Sequence, residues 1–262
     1  APYITNDNKY LTITVYEGTD PKTQFYYKEL GKEGDFIKLL TKMDSKYEFL
    51  GNKGNLFYFN TDLNAPKGKI VSIDVSEKES KLVNVTEEQK EAISYTIIAN
   101  NELFIVYLKD AQSVLKRFKL DGTFLGEIEH PSIGSIEGLS GNIDGDSFYI
   151  EFTSFLYPNS IFQFDFKVNK LVDFFIPKTA FDISKYETKQ VFYESKDKTK
   201  IPLFLVYKKG LQLTGDNPTL LYGYGGFNVN MTPYFSVSRT IWLEHGGVYA
   251  VPILRGGGEY GE

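Results

Sequence analysis

The first two thirds of the chain repeat one pattern, in which bulky side chains alternate with small or polar ones. The pattern recurs about every 40–50 residues, in the segments ITVYEGTD ending at Asp20, LFYFNTD ending at Asp62, LFIVYLKD ending at Asp110 and FYIEFTS ending at Ser154. Alternation with a period of two predicts β-strands that have one buried face. Each segment is followed by a turn and a second strand, such as TQFYYKEL or GKIVSIDV. The chain therefore opens as a series of antiparallel units.

A unit of this length with about four strands is typical of a β-propeller blade. The later units begin with a further short strand, YEFLGN, SYTIIA or IEGLSG, and Asn100–Asn101 is one of the polar pairs that predict tight turns. Residues 1–177 hold three to four such units, whereas propellers close a ring of roughly four to eight blades. The pattern predicts a partial propeller with further blades expected upstream, and it leaves a β-sandwich open as the alternative.

A different pattern begins near residue 178. TKQVFYES and IPLFLVYKKG predict a hairpin, and TLLYGYG and GGVYAVPILRG predict two more strands. The last of these is apolar almost throughout, as expected of a strand buried on both faces of a largely parallel sheet. Between these two strands, SVSRTIWLEHGG predicts a helix capped by Ser236 or Ser238 and ended by Gly246–Gly247. Hairpin, strand, helix and strand in this order predict that residues 178–262 are the first part of an α/β-hydrolase domain.

Composition narrows the classes of function. The 262 residues carry a net charge of −5 with no basic cluster, which disfavours nucleic acid as a partner. Absence of cysteine excludes disulfides, thiolate metal sites and a cysteine nucleophile. No apolar run approaches the length that spans a bilayer, so no membrane partner is expected. We expect neither a metal nor a cofactor, and we expect a cytoplasmic protein, with the periplasm as the alternative.

Two candidate sites in the repeat region are set aside. Asn142, Asp144 and Asp146 have the spacing of a calcium-binding loop, but the positions that need glycine and glutamate hold Ser147 and Thr153. We therefore interpret this segment as a hairpin turn. His130 lies in EHPSIG, before a proline. We interpret it as a solvent-exposed loop residue.

The stretch TLLYGYGGFNVN combines a strand with a turn in which glycines surround Tyr224. Glycine at positions 223, 225 and 226 lets the backbone approach a neighbouring group closely. For an isolated segment of this kind, a tight turn with one aromatic at its rim is the commoner explanation. Read by themselves, these residues leave the role of Tyr224 open.

LLYGYGGFNVNMTPYFSVSR at 220–239 and GGVYAVPILRGGGEYGE at 246–262 resemble the prolyl oligopeptidase (prolyl endopeptidase) family. EGTDP at 17–21, NAPKGKIVSIDV at 64–75, FTSFLYP at 152–158 and KTKIPLFLVYKKG at 198–210 resemble it as well, so the resemblance covers essentially the whole chain. It implies about half of a seven-bladed propeller, followed by the first strands of an α/β-hydrolase domain. It also implies cleavage of short peptides on the carboxyl side of proline by a Ser–Asp–His triad.

The resemblance assigns roles to two residues of this chain. Tyr224 matches the tyrosine whose hydroxyl donates to the oxyanion of the tetrahedral intermediate, and Phe227 matches a phenylalanine that lines the substrate pocket. Read by itself, Phe227 is equally consistent with an ordinary packed aromatic. Tyr16 and Thr19 stand where the family can carry an arginine and a cysteine near the substrate. This departure weakens the case for a substrate contact from that strand.

The nucleophile of such an enzyme is absent from the 262 residues. No G-x-S-x-G occurs, and the two histidines, His130 and His245, both precede the position of a triad histidine. We therefore expect an internal fragment whose triad lies beyond Glu262 and whose partner is the rest of the parent chain. By itself, the fragment is expected to be inactive.

Two other functions stay open. One is a related propeller-hydrolase of the oligopeptidase B or dipeptidyl peptidase type, of which oligopeptidase B would need acidic residues for a basic side chain before the cleaved bond. The other is a propeller that serves as a non-catalytic interaction module.

Overall fold

The computed structural model describes residues 1–260, and four antiparallel four-stranded sheets follow one another along residues 2–175. Within each sheet the strands are hydrogen-bonded in chain order. The first two sheets consist of β1 (Pro2–Ile4), β2 (Tyr10–Tyr16), β3 (Thr23–Glu29) and β4 (Ile37–Leu40), then β5 (Tyr47–Lys53), β6 (Leu56–Thr61), β7 (Lys69–Asp74) and β8 (Val83–Asn84). The next two consist of β9 (Ala92–Ala99), β10 (Glu102–Lys109), β11 (Gln112–Lys119) and β12 (Phe124–Ile128), then β13 (Ser135–Gly141), β14 (Phe148–Thr153), β15 (Ser160–Asp165) and β16 (Lys170–Phe175).

Consecutive sheets pack face to face, and each neighbouring pair buries a core of its own. Phe59 of β6 packs with the first sheet, whereas Tyr58, its neighbour on the same strand, packs with the third. This follows from strand geometry, because successive side chains point to opposite faces. Between the third and fourth sheets, Phe104 and Phe148 stack with ring centroids 4.1 Å apart. A single sandwich would have one core, so the series of cores identifies the sheets as propeller blades.

Tight turns link the strands where the sequence predicts them. Asn100 and Asn101 both have positive φ, at 49° and 56°, which is the backbone of a two-residue hairpin turn. The segment at Asn142 is also a turn, in which the carbonyl of Asn142 accepts from Gly145 N–H at 3.0 Å. The same carbonyl accepts from Asn100 N–H at 3.1 Å, so this turn joins the third blade to the fourth.

The fifth sheet has a different topology. It contains β17 (Tyr186–Glu194), β18 (Lys200–Lys208), β19 (Thr219–Leu221) and β20 (Val248–Pro252) in the order β17-β18-β20-β19, with α1 (Val237–Glu244) between β19 and β20. The predicted hairpin and the strand, helix, strand order are confirmed. The expectation of a largely parallel sheet is wrong within residues 1–260, because β20 runs parallel to β19 but antiparallel to β18.

Both predicted boundaries of α1 agree with the structure to within a residue or two. Ser236 occupies the N-cap position, although its hydroxyl bonds the hydroxyl of Ser238 at 2.9 Å instead of a helix N–H. At the other end, the carbonyl of Leu243 accepts from Gly246 N–H, and Gly246 has a φ of 84°. Within residues 1–260, no helix has the length and apolar character needed to cross a bilayer.

The fourth blade packs directly on the fifth sheet. Phe155, in the loop after β14, is buried and lies 5.4 Å from the ring of Phe204 and 5.8 Å from that of Tyr249. Ser135 donates its hydroxyl to the carbonyl of Pro233 at 2.7 Å, which ties a blade strand to the segment before α1. The loop that follows β19 is therefore held between the propeller and its own sheet.

Candidate functional site

Tyr224 lies on the loop that follows β19, three residues after the strand ends at Leu221. We call residues 222–236 the tyrosine loop. Tyr222 N–H donates to the carbonyl of Ala250 at 2.9 Å, which extends the pairing with β20 to the start of this loop. The side chain of Tyr224 is 38% exposed and makes no hydrogen bond to the described residues. Its predicted position, just beyond a strand end, is confirmed.

A second loop, residues 253–260, packs against the tyrosine loop backbone to backbone, and we call it the glycine loop. A Cβ on Gly225 would lie 2.3 Å from the carbonyl oxygen of Arg255, and a Cβ on Gly256 would lie 2.9 Å from the nitrogen of Gly226. Asn228 N–H donates to the carbonyl of Gly256 at 2.9 Å. Gly225 and Gly256 are thus required for this contact, and the close backbone approach that the sequence predicts for the tyrosine loop is present.

A buried carboxylate joins the two loops further along. Glu259 is 2% exposed, and its Oε1 accepts from Met231 N–H at 2.6 Å. Gly257 leaves room for that carboxylate, since a Cβ there would lie 2.2 Å from Glu259 Oε2. The end of the RGGGEYGE motif, Gly261–Glu262, lies outside the described residues. The described part of the motif acts as a scaffold for the tyrosine loop.

Phe227 has an unusual backbone and an unusual side-chain environment. Its φ is 52°, and the next residue, Asn228, has a φ of 58°. Positive φ is uncommon outside glycine, and for a bulky residue it marks local strain of a kind that clusters at functional sites. Phe227 as a whole is 92% exposed. The structure thus places Tyr224 and Phe227 on one loop, with the phenylalanine ring available to an incoming apolar group.

Replacement of Gly225 by alanine should lower the free energy of unfolding by about 1–3 kcal/mol, because its methyl group would overlap the carbonyl of Arg255. Gly226 is the matched control, since nothing lies within 4 Å of a Cβ at that position and its φ is not positive. Chemical denaturation of Gly225→Ala and Gly226→Ala measures the difference. Equal stability of the two variants would show that the loops do not pack in this way.

A cavity of about 970 Å³ lies between the blades and the tyrosine loop. Asn228, Asn230 and Thr232 form one wall, and polar residues of the blades, including Tyr95 and Glu137, form others. Burial, and then the nearby charge of Glu151, raise the pKa of Glu137. The sequence analysis missed these blade residues. They come from separate repeats, and the β-bulge that interrupts the register of β13 between Ile136 and Gly138 has no sequence signature.

The two histidines serve the fold. Both ring nitrogens of His130 lie near carbonyl oxygens, at 2.7 Å from Ser132 and 2.8 Å from Ser113, and its ring lies against Phe152. The interpretation of His130 as solvent-exposed is therefore wrong. His245 follows α1, and its Nδ1 lies 2.8 Å from the carbonyl of Ile241. Tyr16, at the end of β2, is 60% exposed.

Comparison with known proteins assigns these features to a family. Residues 2–173 match the family described as "Prolyl oligopeptidase, N-terminal beta-propeller domain". This match confirms the propeller predicted from the repeats.

Matches to individual proteins cover almost the whole chain and so include the residues after the propeller. Prolyl endopeptidase of Elizabethkingia meningoseptica is 36% identical over 261 residues, which are 99% of this chain and 37% of that protein. A solved structure from a study of two prolyl endopeptidases is 38% identical with a TM-score of 0.89, and the match covers 100% of this chain and 38% of that one. Prolyl oligopeptidase B from Galerina marginata, bound to a 35mer hydrolysis and macrocyclization substrate, is 28% identical with a TM-score of 0.87 and the same coverage. The chain thus spans less than two fifths of the length of these relatives.

Proposed function

Because this chain belongs to the prolyl oligopeptidase family, we propose that it is part of a serine oligopeptidase that hydrolyses short peptides on the carboxyl side of proline. The observation that carries the proposal is the tyrosine loop. It follows a strand end, and it is fixed by close backbone contact with the glycine loop. It also holds a tyrosine whose hydroxyl forms no bond to another residue among residues 1–260. An oxyanion donor needs this kind of rigid placement, because a donor that must reorganise during the reaction loses its advantage.

In our proposal, this chain contains parts of two domains of the parent enzyme. Residues 1–177 supply blades amounting to about half of a seven-bladed ring. Residues 178–262 supply the first part of the α/β-hydrolase domain, of which residues 261–262 lie outside the described structure. The order β19, α1, β20, with parallel pairing of the two strands, supports the second assignment. In open α/β sheets, ligands bind beyond the carboxyl ends of strands, where the tyrosine loop lies.

In the proposed reaction, a serine from the rest of the enzyme attacks the carbonyl carbon of a prolyl residue. The carbonyl oxygen then carries a negative charge in the tetrahedral intermediate. The hydroxyl of Tyr224 donates a hydrogen bond to this oxygen, alongside a backbone N–H next to the nucleophile. Because the charge develops only as the bond forms, this interaction stabilises the transition state more than the bound substrate. Collapse of the intermediate breaks the C–N bond and releases the following peptide as an amine, which takes up the proton that the serine gave to a base of the enzyme. Water then hydrolyses the ester of the acyl-enzyme and frees the serine.

Phe227 provides the apolar surface for the proline ring of the substrate. It lies three residues after Tyr224 on the same loop and is exposed. The cavity of about 970 Å³ is lined by Asn228, Asn230 and Thr232 of this loop and not by Tyr224 or Phe227, and its size accommodates small ligands. The family membership supports proline-containing short peptides as the proposed substrates.

The proposal is tested with the full-length protein and chromogenic peptides that differ only in the residue before the cleaved bond. We expect the kcat/KM of the prolyl peptide to exceed that of the alanyl peptide by at least about 10-fold, since the pocket gains the contacts of the ring. A serine-directed phosphonate should abolish turnover. Preference for an arginyl peptide would indicate an enzyme of the oligopeptidase B type, and no turnover of any peptide would indicate an interaction module.

A further inference from the structure

Arg239, in α1, is a buried arginine held mainly by aromatic rings. It is 6% exposed, and the centre of its guanidinium lies 4.1 Å from the ring of Tyr234, 5.0 Å from that of Tyr249 and 5.4 Å from that of Phe155. One of its terminal nitrogens donates to the carbonyl of Tyr234. Among residues 1–260, no carboxylate lies within 4.0 Å of it. Its surroundings are therefore those of a cation held by ring faces.

Burial makes an arginine costly at this position, and the ring contacts offset only part of that cost. Removing a guanidinium from water is costly unless it is paired, and Nη1 of Arg239 is buried without a hydrogen-bond partner in the described part of the chain. The surrounding cluster consists of apolar and aromatic side chains such as Phe204 and Leu243. An unbranched apolar side chain would fill the same space without the cost of desolvation. An arginine at this position is therefore a candidate for a role beyond packing.

Its three aromatic neighbours belong to three different parts of the molecule. Phe155 belongs to the fourth blade, Tyr249 belongs to β20, and Tyr234 belongs to the tyrosine loop. Tyr249 pairs with Leu220 on β19, the strand that leads to Tyr224. The guanidinium of Arg239 thus contacts the fourth blade, β20 and Tyr234, which lies near the end of the tyrosine loop.

We propose that Arg239 is a positioning residue for the reaction: it sets the placement of the tyrosine loop relative to the fourth blade, and thereby the position of the Tyr224 hydroxyl. This inference rests on the proposed function. Other bonds keep the loop attached when the arginine is changed. Ser135 donates to the carbonyl of Pro233, and Phe235 N–H donates to Thr153 Oγ1 at 3.2 Å. Loss of the guanidinium should therefore shift the loop and leave it folded.

The test uses Arg239→Met and Arg239→Lys in the full-length enzyme, alone and combined with Tyr224→Phe. Methionine keeps the length and removes the charge, whereas lysine keeps the charge and loses the planar group that faces three rings. We expect Arg239→Met to lower kcat about 10-fold with little change in KM, because small displacements of a catalytic group are costly. Arg239→Lys should be intermediate.

The double variants distinguish an effect of Arg239 on the position of Tyr224 from a general loss of structure. If Arg239 acts through the Tyr224 hydroxyl, Arg239→Met should lower kcat less than about twofold once that hydroxyl is absent. Leu243→Ala, in the same helix and the same core cluster, is the control. It should lower the melting temperature and leave kcat within about twofold of the wild type, as a structural change that keeps the guanidinium and its three rings would.

Three results would overturn the inference while leaving the proposed function intact. They are an unchanged kcat in both Arg239 variants, an equal loss in the presence and absence of the Tyr224 hydroxyl, or an equal loss in Leu243→Ala. If Arg239→Met does not fold, the same comparison is made with Arg239→Lys. A wild-type enzyme without prolyl peptidase activity would overturn the proposed function and this inference with it.

Discussion

Replacement of Tyr224 by phenylalanine should lower both kcat and kcat/KM of the full-length enzyme by about 10²–10³-fold. The hydroxyl contributes mainly in the transition state, so its loss should leave KM nearly unchanged. The ring of phenylalanine retains the shape of the loop, and the close contact of Gly225 with Arg255 does not involve the side chain that is changed. Steady-state kinetics with a prolyl chromogenic peptide measures the effect.

Tyr222→Phe is the matched control, because this tyrosine lies on the same loop, is 44% exposed and contacts β20 through its backbone. It should retain kcat within about twofold, as expected of a surface change away from the reacting atoms. A Tyr224→Phe enzyme with a normal kcat and a raised KM would show that Tyr224 shapes the pocket and does not stabilise the oxyanion.

The 262-residue chain should hydrolyse no prolyl peptide, whereas the full-length protein should do so readily. The physical reason is the absence of a nucleophile: the chain contains no G-x-S-x-G, and both of its histidines are engaged with backbone carbonyls. An oxyanion donor without an attacking group does not lower the barrier to acyl transfer. The two proteins are compared at equal concentration with the same chromogenic peptide.

A serine-directed phosphonate controls for contamination by a host peptidase in that comparison. Turnover by the 262-residue chain that the phosphonate abolishes, and that persists after further purification, would contradict the account. It would mean that a serine of this chain acts as the nucleophile outside the usual motif.

The inner strands of the blades could be predicted from the sequence, and the outer ones could not. β10 is buried on both faces and reads as a continuous apolar run, whereas β3 alternates between buried and partly exposed residues. Both patterns can be recognised in the sequence. The outermost strand of the second blade, Val83–Asn84, has two residues, both exposed, and pairs on one side only. Its existence depends on hydrogen bonds to β7, which leave no periodic pattern of side chains.

The tyrosine loop could be anticipated in kind but not in its contacts. Adjacent glycines predict that the backbone approaches something, and the structure identifies it as the carbonyl of Arg255, which lies 30 residues further along the chain. Arg239 could not be predicted as a junction residue. Its sequence context, SVSR, indicates only the start of a helix. Its partner Phe155 belongs to the fourth blade, 84 residues earlier in the chain, and local sequence does not predict such a contact.

The orientation of the Tyr224 hydroxyl in a complex that mimics the tetrahedral intermediate tests the central claim most directly. A peptide aldehyde that ends in prolinal forms a hemiacetal with a nucleophilic serine, and the hemiacetal oxygen stands in for the oxyanion. In a crystal structure of the full-length enzyme with this inhibitor, Tyr224 Oη should lie about 2.7–3.1 Å from that oxygen. A separation beyond about 3.5 Å, with other groups of the enzyme bonded to the oxygen, would contradict the assignment of Tyr224.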